Sequence, residues 1–420
     1  MKNYLKLSTL ALILVSMTAY AQKGRLMQYE RPVGKDGINI YEAPKADTIE
    51  FEGDMKVRVG GDYSILFQGL SQENDATAPE QLVDLSSNFA LPTANLNIDV
   101  QIKDGLRMHV RTYLSSRHHP EAWVKGGYFQ VDNLDFIKEG LLSGVMEKAR
   151  FRFGMNDINY GDTHFRRSDN ARSMYNPFVG NYIMDAFTTE PFAEISYFPG
   201  DLFAVLGISN GRLNQAPVTG DDGHAVYAKL GYDKQVNDDL RFRLTGSYYS
   251  SSERSTRDYL YNGDRAGARY YNVLEGVDNG GSDFDPRFNP RFGYQNSIMI
   301  NPSVIYGGFE FFGLFETVEN GDDDIGGSLT HLGAEALYRF GGRDQLYFGA
   351  RFNQVDGELA DGAPSITISR TNIGGGWFLT DHVMTKIEYV TSKYEGDGFI
   401  GDKRQGAEFD GFVIEAVISF

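Results

Sequence analysis

Apolar and polar residues alternate with a period of two along most of this chain, the pattern of strands that turn one face to an apolar phase and the other to water. From Lys56 to Gln68, Val57, Val59, Tyr63, Ile65 and Phe67 stand opposite Arg58, Asp62, Ser64 and Gln68. Leu96, Ile98, Val100 and Ile102 oppose Asn95, Asn97, Asp99 and Gln101. After the turn Lys103-Asp104-Gly105, Leu106, Met108 and Val110 alternate with Arg107, His109 and Arg111. A slip of one residue would turn these charges to the apolar side, so the register of this hairpin is determined. Phe151, Phe153 and Met155 likewise alternate with Arg150 and Arg152, whereas the segment from about Trp123 to Asn133 is mixed on both faces. The final strand carries Phe412, Ile414, Ala416, Ile418 and the terminal Phe420 on one side, with Val413, Glu415, Val417 and Ser419 on the other.

Strands are predicted to begin near residues 56, 89, 106, 123, 146, 191, 202, 224, 240, 294, 308, 328, 345, 365, 383 and 406, sixteen in all. Short turns such as Pro199-Gly200-Asp201, Tyr306-Gly307 and Thr380 to His382 alternate with long polar connections, of which Asp157 to Glu190 and Ser251 to Gly293 are the largest. The stretch Leu134 to Ser143 is long for its place among the short turns, and a strand hidden or broken there moves the count to fourteen or eighteen. In hydrocarbon a sheet satisfies every backbone N–H and C=O only by closing on itself. The pattern therefore predicts an all-β fold: a transmembrane antiparallel β-barrel with short periplasmic turns and long external loops, embedded in the outer membrane of a Gram-negative bacterium among lipid and lipopolysaccharide. Phe242, Phe309, Phe340 and Phe420 at one end, with Tyr113 and Tyr248 at the other, are expected to form interfacial girdles. Gly374-Gly375-Gly376, inside a strand, is expected to mark a bulge or tight curvature.

The amino-terminus adds an export signal. Lys2 and Lys6 precede a mostly apolar run from Leu7 to Val15, and Ala19-Tyr20-Ala21 offers a cleavage site before Gln22. The chain thus divides into a signal peptide (1–21), a periplasmic leader or small plug (22–55) and the barrel (56–420). Aromatic residues at 13% and 48 glycines suit such a barrel, and the absence of cysteine suits an exported protein that does not need covalent staples. A formal net charge of −17 excludes nucleic acid as a partner, since that surface repels phosphates. Much of the acid, as in Asp322-Asp323-Asp324 and Asp283 to Asp285, falls in solvated loops.

About sixteen strands enclose a water-filled space, and polar inward positions make its lining. Arg107, His109, Arg111, Arg150, Arg152, Arg241, Arg243 and Arg351 are expected to line this pore, with Glu310, Glu316, Glu335, Glu388 and Glu415 gathered on the later strands. Two such walls at similar depth create a transverse field; otherwise the charges pair and keep the lumen wet. The connection after the fifth strand carries Arg166, Arg167 and Arg172 and is expected to fold inward as a constriction, or to pack externally on Phe165, Tyr175, Phe178 and Tyr182.

These features together resemble the Gram-negative porins, particularly the phosphate-selective porins of the O and P type: the export signal, sixteen alternating strands, a long loop after the fifth, inward arginines and the terminal Phe420. The resemblance covers roughly residues 56 to 420 as architecture. It implies a diffusion channel, often a homotrimer, with the third external loop as constriction and Arg107, Arg111, Arg150, Arg152 and the loop arginines guiding anions. The acidic net charge and inward glutamates depart from that pattern and favour a general or weakly selective pore.

No enzyme is expected. The histidines, His118-His119 among them, show no spacing that marks a catalytic or metal site, no phosphate-cradling glycine loop is present, and no cofactor is implied. The expected function is a porin for small hydrophilic solutes or ions. The alternative is a closed barrel serving as scaffold or subunit of a larger outer-membrane complex, with Tyr259, Tyr261, Tyr270 and Tyr271 on an external binding surface.

Overall fold

The computed structural model describes residues 27–45, 49–117, 122–212, 224–251, 259–278 and 283–420. The predicted signal peptide and His118-His119 lie outside the described residues. The described chain forms β1 (Lys56–Glu73), β2 (Asn88–Lys103), β3 (Leu106–Ser115), β4 (Trp123–Val131), β5 (Ala149–Asp157), β6 (Thr189–Tyr197), β7 (Leu202–Ser209) and β8 (Ala225–Gln235). It continues with β9 (Leu240–Ser251), β10 (Gln295–Tyr306), β11 (Phe309–Asn320), β12 (Ser328–Phe340), β13 (Leu346–Glu358), β14 (Ile366–Thr380), β15 (Val383–Glu395) and β16 (Glu408–Ser419). Each strand pairs antiparallel with its neighbours in sequence, and β1 pairs with β16 to close a sixteen-stranded barrel.

Closure places the last residue at the seam. Gly61 and Phe420 exchange two backbone hydrogen bonds of 2.9 Å each. A Cβ on the adjacent Gly60 would stand 2.5 Å from the Phe420 carbonyl oxygen, so only glycine lets the end of the chain approach. The two faces follow the alternation: Val57, Val59, Phe412, Ile414, Ile418 and Phe420 are exposed on the outside, while Asp62, Ser64 and Glu415 are buried within. The stretch from 134 to 143 holds no strand; it leads into one helical turn, α1 (Ser143–Met146), before β5.

Three expectations are corrected. Tyr113 shares the parity of Arg107, His109 and Arg111; it points inward with no exposed surface and lies 5.4 Å from the Lys125 ammonium, not in an interfacial girdle. Gly374 to Gly376 pair in unbroken register with both neighbouring strands, and a Cβ at Gly376 would strike the Tyr347 ring at 2.5 Å. Those glycines make room rather than a bulge. Tyr261 and Tyr270 have no exposed surface, so they supply no external binding face.

The loops fill the long-loop half of the barrel. Ile183, Leu260, Tyr261, Tyr270, Leu274, Phe284 and Phe288 share one apolar cluster with Val318, Leu329, Val355, Ile368, Phe409 and Val413 of the strands. These strand positions alternate with lipid-facing residues and interrupt the polar lining expected of the inward face. Burying them against loop side chains removes their apolar surface from water, which favours loops folded inward over loops extended outward.

Candidate functional site

The lumen wall from β1 to β6 is built around carboxylates that collect arginines. Asp99 on β2 accepts from Arg58 at 2.6 Å and Arg107 at 3.2 Å, and meets His109 Nδ1 at 2.7 Å. The β2–β3 register sets Asp99 directly opposite His109 and places Arg107 two pairs further along, opposite Gln101, so alternation alone brings them to one face. Arg150 donates to Asp132 at 2.8 Å, and Arg152 forks onto Glu194 at 3.0 and 2.7 Å.

The opposite wall carries the inward glutamates, and each is engaged. Glu335 accepts two bonds from Arg351, at 2.9 and 2.7 Å; Glu310 accepts from Arg339 at 2.5 Å. Glu316 accepts from Tyr261 at 2.7 Å and Tyr160 at 3.1 Å, and Glu388 accepts from Tyr270 at 2.7 Å. Glu415 accepts from Arg269 at 2.7 Å and faces the Lys386 ammonium at 2.6 Å. Buried carboxylates demand such partners, because an uncompensated charge at low dielectric is costly.

The connection 157–188 crosses the lumen. Asp162 takes hydrogen bonds from Arg243 at 2.8 Å and Lys229 at 3.0 Å, Asp169 meets Arg111 at 2.7 Å, and the Ile183 amide donates to Asn353 on β13 at 2.8 Å. Arg166 reaches Glu335 on the far wall, and Arg167 forks onto Asp185 at 2.8 and 2.7 Å within the connection itself. Burial raises Asp169 to about 6, even with Arg111 and Arg172 beside it.

Residues 27–45 enter from the short-turn end. Glu30 pairs with Arg58, and the Arg31 guanidinium lies 3.8 Å from the centre of the Tyr175 ring. Asn39 donates to Glu310 at 2.8 Å, and Lys45 meets Asp132 at 3.0 Å. Glu42 accepts from Arg243 at 2.8 Å and Lys229 at 3.3 Å; burial alone would raise its carboxyl, but those two cations hold it down to about 2.

Between this segment, the crossing connection and the β1–β6 wall lies a cavity of about 140 Å³. Seven arginines line it, Arg31, Arg58, Arg107, Arg111, Arg150, Arg152 and Arg172, against six carboxylates, Glu30, Glu42, Asp62, Asp99, Asp157 and Glu194. A wider recess of about 780 Å³ at the short-turn end is bordered by Lys45, Asp132, Phe203 and Arg243. The candidate residues therefore separate. Arg107, His109, Arg111, Arg150, Arg152 and Arg172 face the cavity. Arg241 pairs with Asp233 at 2.7 Å near the short-turn end; Arg351, Glu310, Glu335 and Arg166 are buried in ties between loop and wall, and Arg167 is buried among the loops against Asp185 and Asp264. Sequence reasoning did not single out Lys229 or Lys386, although alternation points both inward. Arg31, Asp162 and Arg269 sit on irregular backbone, where no period marks them.

No family model and no curated protein matches the chain in sequence. Solved structures do match in shape. OmpT, an outer membrane protein of Vibrio cholerae, superposes with a TM-score of 0.51 at 10% identity, covering 89% of this chain and 99% of that one. The outer membrane channel DcaP of Acinetobacter baumannii gives 0.51 at 11% identity, with 89% and 99% covered. OprB of Pseudomonas putida gives 0.51 at 10% identity, with 88% and 94% covered. Closed sheet, outward apolar belt and these neighbours agree: the chain has the fold of a Gram-negative outer-membrane β-barrel of sixteen strands.

Proposed function

We propose that this protein is an outer-membrane channel passing small hydrophilic solutes along its β1–β6 wall, with residues 27–45 and the 157–188 connection narrowing the path. The observation that carries this reading is the charged cavity inside a closed barrel. Seven guanidinium groups against six carboxylates make a nearly balanced lining, which supports weak ion selectivity rather than the phosphate preference that the porin resemblance implies. Residues 1–21 act as the export signal in this reading, and the mature protein begins at Gln22; amino-terminal sequencing of protein taken from outer membranes tests this.

Purified protein in a planar bilayer under a salt gradient tests the function. Steady current with a reversal potential near zero is expected, and a strongly anion-selective value would restore the phosphate-type reading. One observation favours the second reading, a closed scaffold: the apolar cluster that joins the loops to the strands inside the barrel. Silence in the bilayer at all voltages would decide for it.

A further inference from the structure

Among the described residues, the link between β4 and β5 is the one long strand-to-strand connection at the short-turn end, and it carries apolar side chains that the barrel does not cover. Phe136, Ile137, Leu142 and Val145 are 36%, 65%, 59% and 52% exposed. Beneath them Met146 is buried with Val131 and Ala149, and Leu106 and Leu134 pack against this small cluster. Val131 and Ala149 stand two positions from Phe129 and Phe151, which are exposed on the outer face, so by alternation they too point outward. The excursion thus folds over the outer rim of the barrel and continues its lipid-facing belt.

It does so where the wall is lowest. β4, β5 and β6 have nine residues each and β7 has eight, whereas β10 to β16 have twelve to fifteen. A tilted strand needs about 9 to 11 residues to cross the hydrocarbon, so β4 to β7 lie at or below the minimum. We infer that residues 134–148 are an interfacial anchor, seated in the phospholipid leaflet that faces the short-turn end and making up the missing height of this wall. Asp135, Glu139 and Glu147 against Lys138 and Lys148 leave the excursion without a basic excess. Its attraction to the membrane is therefore apolar and independent of anionic headgroups, in the manner of helices that lie in the interface plane.

The chain has no cysteine, so single cysteines report without background. Ile137→Cys and Leu142→Cys, each carrying a nitroxide, are placed in phosphatidylcholine vesicles with the full barrel, and spin relaxation by oxygen is compared with that by a water-soluble nickel chelate. The expected ratio shifts toward oxygen, as at the lipid-facing reference Phe151→Cys. A ratio like that of the loop reference Asp323→Cys means the excursion stands in water and overturns the inference. Protection from both reagents means a protein covers it, and overturns it equally. Retained heat-modifiable migration of each variant on a gel confirms that the barrel under test is folded.

Discussion

Arg111 on β3 and Asp169 in the 157–188 connection form an ion pair of 2.7 Å, both side chains almost wholly removed from solvent. The pair ties the crossing segment to the same wall that carries Arg107 and His109, and it links the position of that segment to the charge of the path beside it. Arg111→Ala leaves a buried carboxylate with weaker partners, Arg172 at 3.4 Å and Arg167 at 3.7 Å. Removing one member of a buried pair costs about 3–5 kcal/mol. The expected outcome is a larger, noisier unitary current and a lower urea midpoint, read by bilayer recording and by tryptophan fluorescence.

Acid should act on the same contact. Burial raises Asp169 from 3.8 to about 6, with Asp264 and Asp62 adding to the rise and Arg111 and Arg172 opposing it. Because the folded value lies above the unfolded one, the folded protein binds the extra proton between these limits, and this group's contribution to stability falls as pH rises from about 4 to about 6. Above that range the carboxylate is charged and holds Arg111. Acidification through this range ends the charge on Asp169 but favours the folded arrangement, so the urea midpoint should rise and the current should change with a midpoint near pH 6. Asp169→Asn should abolish that midpoint; a midpoint that survives the substitution assigns it to another group.

The amino-terminal segment offers a separate handle. Glu42 joins it to Arg243 and Lys229, and Asn39 joins it to Glu310. Deleting residues 27–45 should raise conductance, since both the side chains and the backbone that narrow the short-turn half are gone. Glu42→Gln alone should give a smaller rise in the same direction. Equal conductance in all three proteins would show that the segment does not narrow the path.

Reversal of charge along the wall should change selectivity. Arg107→Glu with Arg111→Glu turns the seven-to-six lining into one dominated by carboxylates, and the reversal potential in a salt gradient should move toward cations. An unchanged value would show that these arginines do not govern ion sorting.

Much of the barrel was legible because a strand between lipid and lumen has a side-chain period of two. Phe151 and Arg152, or Ile414 and Glu415, announce their faces without any other information, and the sixteen strand starts follow. Tyr113 was misread by treating its ring as an interfacial anchor while ignoring that it shares parity with Arg111. The interior was legible only in part. Arg166 and Asp169 sit on irregular backbone, so nothing periodic indicates that one reaches Glu335 and the other Arg111. Val413 and Ile368 look like minor interruptions of a polar lining until the loop residues of the same apolar cluster, Phe284 and Tyr270 among them, are in place. The filling of a barrel by its own loops depends on contacts between residues far apart in sequence, and local patterns do not carry that.

A channel of the kind proposed has water along the inner face of β5 while the next residue meets lipid. Single cysteines at Arg152 and Phe151, neighbours of opposite parity, test it in one register. In a planar bilayer, a charged, membrane-impermeant thiol reagent should lower the current of Arg152→Cys stepwise and leave Phe151→Cys unchanged. Current lost through Phe151→Cys and not through Arg152→Cys, or no current from either protein, would contradict the account.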